Sequence, residues 1–301
     1  MSKNFLLNKA KSEKNDEFYT QYCDIEKELI HYKDKFVDKV VYCNCDDYTK
    51  SNFTKYFKDN FNELKLNKLI CTGLNTKYYE YDGKNEIVKD LVSNGDFRGE
   101  ECVEFLKECD IVVTNPPFSL FREYVKQLME FGKKFLIIGN QNAITYKEIF
   151  PYIKDNELWL GLSMNGSNRW FQAPENYIVN EKCSGYKEIE GKKYFFVNSV
   201  TWFTNIEHNR RNQPLDLYKK YSNGDYLNYD NYGAIEVSKV ADIPMDFDGV
   251  MGVPITFLYK YCPTQFEILG HEHDLDGIGT SLGQFEVNGK GVYKRLLIRK
   301  K

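Results

Sequence analysis

No apolar run in the 301-residue chain approaches the roughly 20 residues that a helical membrane span needs. The first 14 residues are too polar and lysine-rich to contain the apolar centre of a secretory signal, so the expected compartment is the cytoplasm. Eight cysteines, at positions 23, 43, 45, 71, 102, 109, 183 and 262, include no Cys-x-x-Cys pair. That spacing argues against a disulfide scaffold or a zinc site and for buried thiols. His271 and His273 stand two residues apart without supporting ligands, and no metal is expected. Basic residues are not in excess: a net charge of −3 provides no overall basic field, so a face that binds nucleic acid has to be segregated. Glycine is also missing from residues 43–47, Cys-Asn-Cys-Asp-Asp, which follow the first stretch that reads as a buried strand.

What is present is enough apolar material, 42% of the chain, for one large core or for a core with a smaller appendage. The chain is organised around residues 110–118, Asp-Ile-Val-Val-Thr-Asn-Pro-Pro-Phe. Four β-favouring residues opened by an acid and closed by two prolines read as a short buried strand that stops abruptly at its carboxyl end. Each proline fixes its own φ and removes a donor, and each pushes the residue before it towards extended geometry. Asn115 and Pro116 are thereby held as a stiff acceptor site. The Asn115 side-chain oxygen and the Pro116 carbonyl can each take one hydrogen of a planar amino group, with Phe118 as a stacking face. Methyl transfer to an exocyclic amine needs such a grip, because the nitrogen lone pair has to leave conjugation with its ring. A plain strand-to-turn stop would also place two prolines here.

Around this stretch, strands and helices alternate. Ile25, Leu29 and Tyr32 share one helix face, with Asp24 in its first turn. Residues 39–47 read as a strand and loop, followed by a helix with Phe53, Tyr56, Phe57 and Phe61 on one side. A second strand runs over 68–73. Residues 78–84 predict a hairpin with an Asp-Gly turn, and residues 101–108 a helix. After the prolines, Phe121, Tyr124, Val125, Leu128 and Met129 lie at helical spacing, with Ser119 as its cap. Residues 133–140 predict a strand, 145–156 a helix, 158–161 an edge strand, and 186–206 a hairpin whose second arm joins the sheet. The expectation is an α/β fold, Rossmann-like and doubly wound, with a mostly parallel sheet and helices on both faces. Residues 1–206 form its main domain, and a smaller C-terminal region covers 207–301, where periodicity fades. Arg210, Arg211 and the terminal Lys290, Lys294, Arg295, Arg299, Lys300 and Lys301 are the clearest basic groups.

Asn-Pro-Pro-Phe resembles the catalytic motif of S-adenosylmethionine-dependent amino-methyltransferases. Residues 15–20, 40–47, 94–97, 110–122, 135–146 and 197–211 together resemble the EcoRI-type DNA adenine methyltransferases, a subgroup in which a glycine-free cofactor loop is expected. The resemblance implies a methyltransferase domain that extrudes one adenine from duplex DNA and methylates its N6 amino group, in a restriction-modification or orphan role. It implies Asn115, Pro116, Pro117 and Phe118 as catalytic residues. The cofactor S-adenosylmethionine is expected at Phe18, Tyr19, Thr20, Cys43, Asn44, Cys45, Asp46, Asp47, Thr72, Asp96 and Phe97, although no acidic residue ends the second strand. DNA contacts are expected from Trp202 or Phe203 near the pocket and from Arg210, Arg211, Lys294 and Arg295, with 207–301 as the target-recognition region. The partners implied are duplex DNA and a cognate endonuclease acting on the same site without a stable complex. Two alternatives remain at this level: a silent binding module that has kept the fold, and an RNA or protein amino-methyltransferase, against which the phenylalanine in fourth place weighs.

Overall fold

The computed structural model describes residues 19–74, 76–173, 185–275 and 281–301. The chain divides into two units, Met1–Gln141 with Gly161–Ile206, and Asn142–Leu160 with Glu207–Lys301. Residues 142–160, expected in the first region, thus group with the C-terminal part.

The first unit is a mixed sheet with helices. Its strands are β1 (Val40–Asn44), β2 (Lys68–Thr72), β3 (Lys77–Tyr81), β4 (Glu86–Asp90), β5 (Ile111–Thr114), β6 (Lys134–Asn140), β7 (Ser167–Gln172), β8 (Tyr186–Ile189) and β9 (Lys192–Thr204). Their order is β4-β3-β2-β1-β5-β6-β9, with β7 and β8 also pairing β9. The pairs β1–β2, β1–β5 and β5–β6 are parallel. Outside that centre the pairs β2–β3, β3–β4 and β6–β9 are antiparallel. Short connections decide the β2-β3-β4 flank, since a tight turn can join only antiparallel strands, whereas β6 and β9 are joined through the long stretch 141–191. The β3–β4 turn is the expected one: Gly83 has φ +90°, and Asp82 Oδ1 accepts from the backbone N–H groups of Lys84 (2.9 Å) and Asn85 (2.7 Å).

Three of the four helices described in this unit carry the faces that their spacing predicts. Helix α1 (Tyr22–Leu29) buries Ile25 and Leu29 and runs on as a 3-10 turn that buries Tyr32. Helix α2 (Asn52–Asp59) is capped by Ser51, whose Oγ accepts from Phe53 N, and buries Phe53, Tyr56 and Phe57. Helix α3 covers Glu100–Glu108, and α4 (Phe121–Glu130) buries Phe121, Tyr124, Val125 and Leu128. Ser119 is not its cap: residues 118–120 form a separate 3-10 turn and the N-cap position is Leu120. The proline pair explains this delay, because the chain needs one extra turn to leave the extended geometry that the prolines impose. The core cluster spans Ile25, Phe36, Val41, Phe57, Leu69, Val113, Leu136, Met164 and Trp202, with Phe118 packed against it.

In the second unit, β10 (Ile235–Glu236), β11 (Met251–Pro254), β12 (Phe266–His271) and β13 (Arg295–Lys300) form a sheet in the order β10-β11-β13-β12. The helix expected over 145–156 shrinks to α5 (Phe150–Lys154), with Pro151 at its start. A proline is tolerated only in the first turn of a helix, so regular structure cannot extend upstream through it. His271 is a core residue here, 1% exposed and edge-on to Phe150 at 4.3 Å, and burial pushes its pKa down to about 4. No described helix is long and apolar enough to cross a membrane.

Candidate active site

The chain runs from β1 outwards to β2 and later returns to β5 on the other side of β1. In parallel α/β sheets such a reversal opens a crevice at the carboxyl ends of the two strands, and ligands bind there. Asn44 ends β1 and Asn115 follows β5, so the two asparagines flank that crevice.

Its floor is tied together by hydrogen bonds. Thr114 Oγ1 lies 2.6 Å from Asn44 O and 2.5 Å from Asp46 Oδ2, its single hydrogen serving one of them at a time, while Ser51 Oγ donates to Asp46 Oδ1 (2.6 Å). Asp46 N donates to Thr72 O (2.9 Å), which binds the loop to the end of β2. The absence of glycine from this loop is compensated by its neighbours. Cys45 takes the left-handed conformation itself, at φ +75°. Gly73 supplies the close approach: a Cβ there would lie 2.9 Å from Asp47 N. Gly95, at φ +77°, lies so close to Gly73 that a Cβ would meet its carbonyl oxygen at 1.9 Å.

Asp46 is 5% exposed, and burial raises its pKa to about 7 against the opposing pull of the Ser51 and Thr114 hydroxyls. Two neutral donors do not replace the hydration of a carboxylate, so desolvation prevails. A cation beside it would favour its ionised form. Tyr124, fully buried and with its pKa pushed well up by burial, keeps its proton and donates to Asn44 Oδ1. That bond fixes the Asn44 amide. Its Nδ2, with no hydrogen-bond partner, turns towards the remaining side. Thr20 Oγ1 is another buried polar atom without a partner. Thr20 O accepts from Asn52 Nδ2 (2.7 Å), which pins the N-terminal segment to the start of α2. Buried orphan donors cost roughly 1–3 kcal/mol each unless a ligand satisfies them. A nucleoside with hydroxyl and carboxylate groups and a positive charge fits this set.

Asn115 is 8% exposed, the two prolines are buried, and Phe118 is half-buried. Leu120 N donates to the Pro117 carbonyl (3.0 Å), so that carbonyl is occupied.

The expected cofactor residues separate into groups. Thr20, Asn44, Cys45, Asp46 and Asp47 gather around the ends of β1 and β2. The Cys43 and Thr72 side chains do not serve the crevice: Cys43 is fully buried in the core with its thiol pushed up by burial, and Thr72 Oγ1 hydrogen-bonds the Tyr42 hydroxyl (2.7 Å). Asp96 is held by Arg98 through bonds of 2.8 and 2.6 Å, and Phe97 is 3% exposed, edge-on to Tyr124 at 5.0 Å. Tyr19 pairs with Gln172 through two backbone bonds (2.8 and 3.0 Å), and Phe18 lies outside the described residues.

Most of the expected DNA contacts require correction. Trp202 and Phe203 are fully buried, edge-on to Phe53 at 6.0 Å and tilted on Phe121 at 5.0 Å, so both are core residues. Arg211 is 9% exposed; it pairs with Glu207 (2.9 Å) and lies 3.7 Å over the Trp159 ring. Arg295 is bound to buried Glu236 at 2.7 Å, and Lys294 donates to Thr145 Oγ1 at 2.6 Å. These three cations are used inside their own unit, whereas Arg210 is exposed. Sequence reading missed Ser51, Gly73, Gly95, Thr114 and Tyr124. Tyr124 was legible only as a core residue, because a helix face does not show which of its phenols carries a hydrogen bond.

A proline-locked corner following a central parallel strand of an α/β sheet is an arrangement suited to an amino-group methyltransferase. More narrowly, the family described as "Adenine-specific methyltransferase EcoRI" matches residues 6–90 and 79–301, and the chain belongs to it. It is an adenine-specific DNA methyltransferase. The chain is 47% identical to the type II methyltransferase M.EcoRI of Escherichia coli, over 99% of its own length and 97% of the relative's. It is 39% identical to M.MgeORF184P of Mycoplasma genitalium over 98% of both chains. It is 40% identical to M.MpnI of Mycoplasma pneumoniae over 87% of this chain and 84% of the relative. No solved structure matches it.

Proposed function

We propose that the chain transfers a methyl group from S-adenosylmethionine to the N6 nitrogen of one adenine extruded from duplex DNA, in a type II modification role. The observation that carries this reading is Asn115 with its two prolines at the carboxyl end of β5, beside the Asn44–Asp46 loop. The parallel centre β2-β1-β5-β6 supports a Rossmann-like, doubly wound reading with helices on both faces.

S-adenosylmethionine, when bound, supplies an electrophilic methyl group on a positively charged sulfur. Asn44 Nδ2 and Thr20 Oγ1 would hold its polar groups, Asp46 would sit near its positive charge, and the backbone at Cys45 and Gly73 would pass close to it. The target nitrogen is out of reach inside a base stack, so the adenine has to leave the helix. Asn115 Oδ1 and the Pro116 carbonyl accept the two amino hydrogens, and the Phe118 ring stacks on the base. As the nitrogen becomes positive, those two oxygens stabilise the charge by accepting its hydrogen bonds, and once the methyl has been transferred the surplus proton is lost to water. Alignment in a site that excludes water contributes much of the acceleration. Exposed Arg210 is among the basic groups of residues 207–301 that would meet phosphates, and that region is proposed to recognise the target sequence.

The test is transfer of tritium from labelled S-adenosylmethionine to duplex DNA, followed by mapping of the modified base. N6-methyladenine at one short sequence is the expected product. Label on protein or RNA, or none on DNA, would overturn the proposal.

A further inference from the structure

Gln141 stands out in the first unit. Its side chain is only 7% exposed, yet its Nε2 is buried with no hydrogen-bond partner. It directly follows β6 (Lys134–Asn140), the parallel neighbour of β5. Thr114 on β5 is in register with Ile137 on β6. Asn115 follows the end of β5 and Gln141 the end of β6, so both segments leave the same carboxyl end of the sheet from adjacent strands. Neighbouring strands are roughly 4.8 Å apart. The amide therefore lies at the same carboxyl end of the sheet as the Asn-Pro-Pro-Phe corner, on the adjacent parallel strand.

A strained turn fixes its orientation. Met164, Asn165 and Gly166 have φ of 66°, 44° and 66° in succession. A Cβ at Gly166 would come within 2.1 Å of Gln141 Oε1, so only glycine lets the turn close over the oxygen end of the amide. Met164, 4% exposed, belongs to the core cluster on which Phe118 packs. Three left-handed residues in a row are costly, and such strain persists where the surroundings over-determine it, often at functional sites. Here it closes over one end of an amide and leaves the donor end without a hydrogen-bond partner, at the end of the sheet where β5 gives way to Asn115.

We propose that Gln141 is a specificity-determining residue that reads the ring edge of the extruded adenine, donating from Nε2 to the ring nitrogen next to the amino group, N1 or N7. The inference rests on the functional reading of Asn115 given above. Adenine offers an amino donor flanked by acceptor nitrogens, so two acceptors (Asn115 and Pro116) beside one donor (Gln141) match it. Thymine and guanine instead carry a carbonyl oxygen beside a ring N–H on their pairing edge. That pattern would place acceptor against acceptor and donor against donor, a mismatch that buried polar groups reject strongly.

The test uses duplexes with adenine, 1-deazaadenine or 7-deazaadenine at the target position, with wild type, Gln141→Leu and the near-isosteric Gln141→Glu. Wild type should lose about 10- to 100-fold in kcat/KM on one of the two analogues, as expected when a buried hydrogen bond is left unmade. Both variants should lose a similar factor on adenine and become indifferent to that analogue, with S-adenosylmethionine affinity unchanged. The idea is overturned if wild type accepts both analogues as readily as adenine, or if the variants discriminate as wild type does. It is also overturned if they lose activity only in proportion to a fall in melting temperature, which would make Gln141 a mere support for the 164–166 turn. Failure of the functional reading is separable from these results: it would show as wild type leaving adenine itself unmethylated.

Discussion

The two units use their charged groups differently, although each also buries polar atoms with no hydrogen-bond partner, Arg211 Nε and His271 Nε2 among them in the second unit. In the second unit, Arg295 meets Glu236, Arg211 meets Glu207 and the Trp159 face, and Lys294 meets Thr145, so the charge is spent on holding that unit together. In the first unit, Asn44 Nδ2, Thr20 Oγ1 and Gln141 Nε2 are buried without partners, and Asp46 keeps a proton to near neutrality. A satisfied buried charge specifies a fold, whereas an unsatisfied buried donor costs stability and is retained where a ligand completes it. What sets the first unit apart is place, since its orphan groups Asn44 Nδ2 and Gln141 Nε2 stand at the carboxyl ends of parallel strands; the second unit shows that a basic residue near a chain end is not thereby a DNA contact.

Removing the acceptor should give the largest effect. Asn115→Ala is expected to lower methyl transfer by at least about 10²- to 10³-fold, the usual loss when a transition-state partner is deleted. Binding of S-adenosylmethionine should persist, as read by calorimetry; full activity would show that the acceptor lies elsewhere. In the second unit, Arg295→Ala leaves Glu236 buried and unpaired, and should cost about 3–5 kcal/mol in urea unfolding. A variant of unchanged stability but weakened DNA binding would return Arg295 to the interface.

Asp46 sharpens the comparison through pH. Its folded-state pKa, about 7, lies above the ordinary 3.8, so the folded protein binds the proton more tightly than the unfolded chain. The group is neutral to stability below about pH 4, becomes increasingly destabilising between about pH 4 and pH 7, and is constant above that. At about 1.4 kcal/mol per pKa unit the span is a few kcal/mol. Wild type should therefore gain stability relative to Asp46→Asn between pH 8 and pH 5. Parallel stability profiles for the two proteins would refute the buried carboxyl. The smallest effect is expected from exposed Arg210: Arg210→Ala should leave the melting temperature unchanged and reduce the slope of log K against log salt for DNA by about 1.

Much of the fold was legible because it depends on short-range patterns. The faces of α1, α2 and α4, the Asp82-Gly83 hairpin and the abrupt end of β5 all follow from apolar spacing or from turn chemistry. The misreadings share one cause. Trp202 and Phe203 alternate along a strand, and alternation does not tell which face is covered on both sides. Residues 145–156 have helical spacing, but Pro151 confines regular helix to the turn that it starts. Arg211, Lys294 and Arg295 read as free cations because their partners, Glu207, Thr145 and Glu236, can be assigned only in three dimensions.

The sequence by itself determined the stiff Asn-Pro-Pro corner, since two consecutive prolines restrict their own backbone wherever the chain goes. It also determined the alternation of elements that brings a parallel sheet with it. Only the tertiary structure decided which polar groups remain unpaid, because whether a donor is satisfied depends on atoms far away in sequence: Tyr124 for Asn44, Thr114 for Asp46, Gly166 beside Gln141.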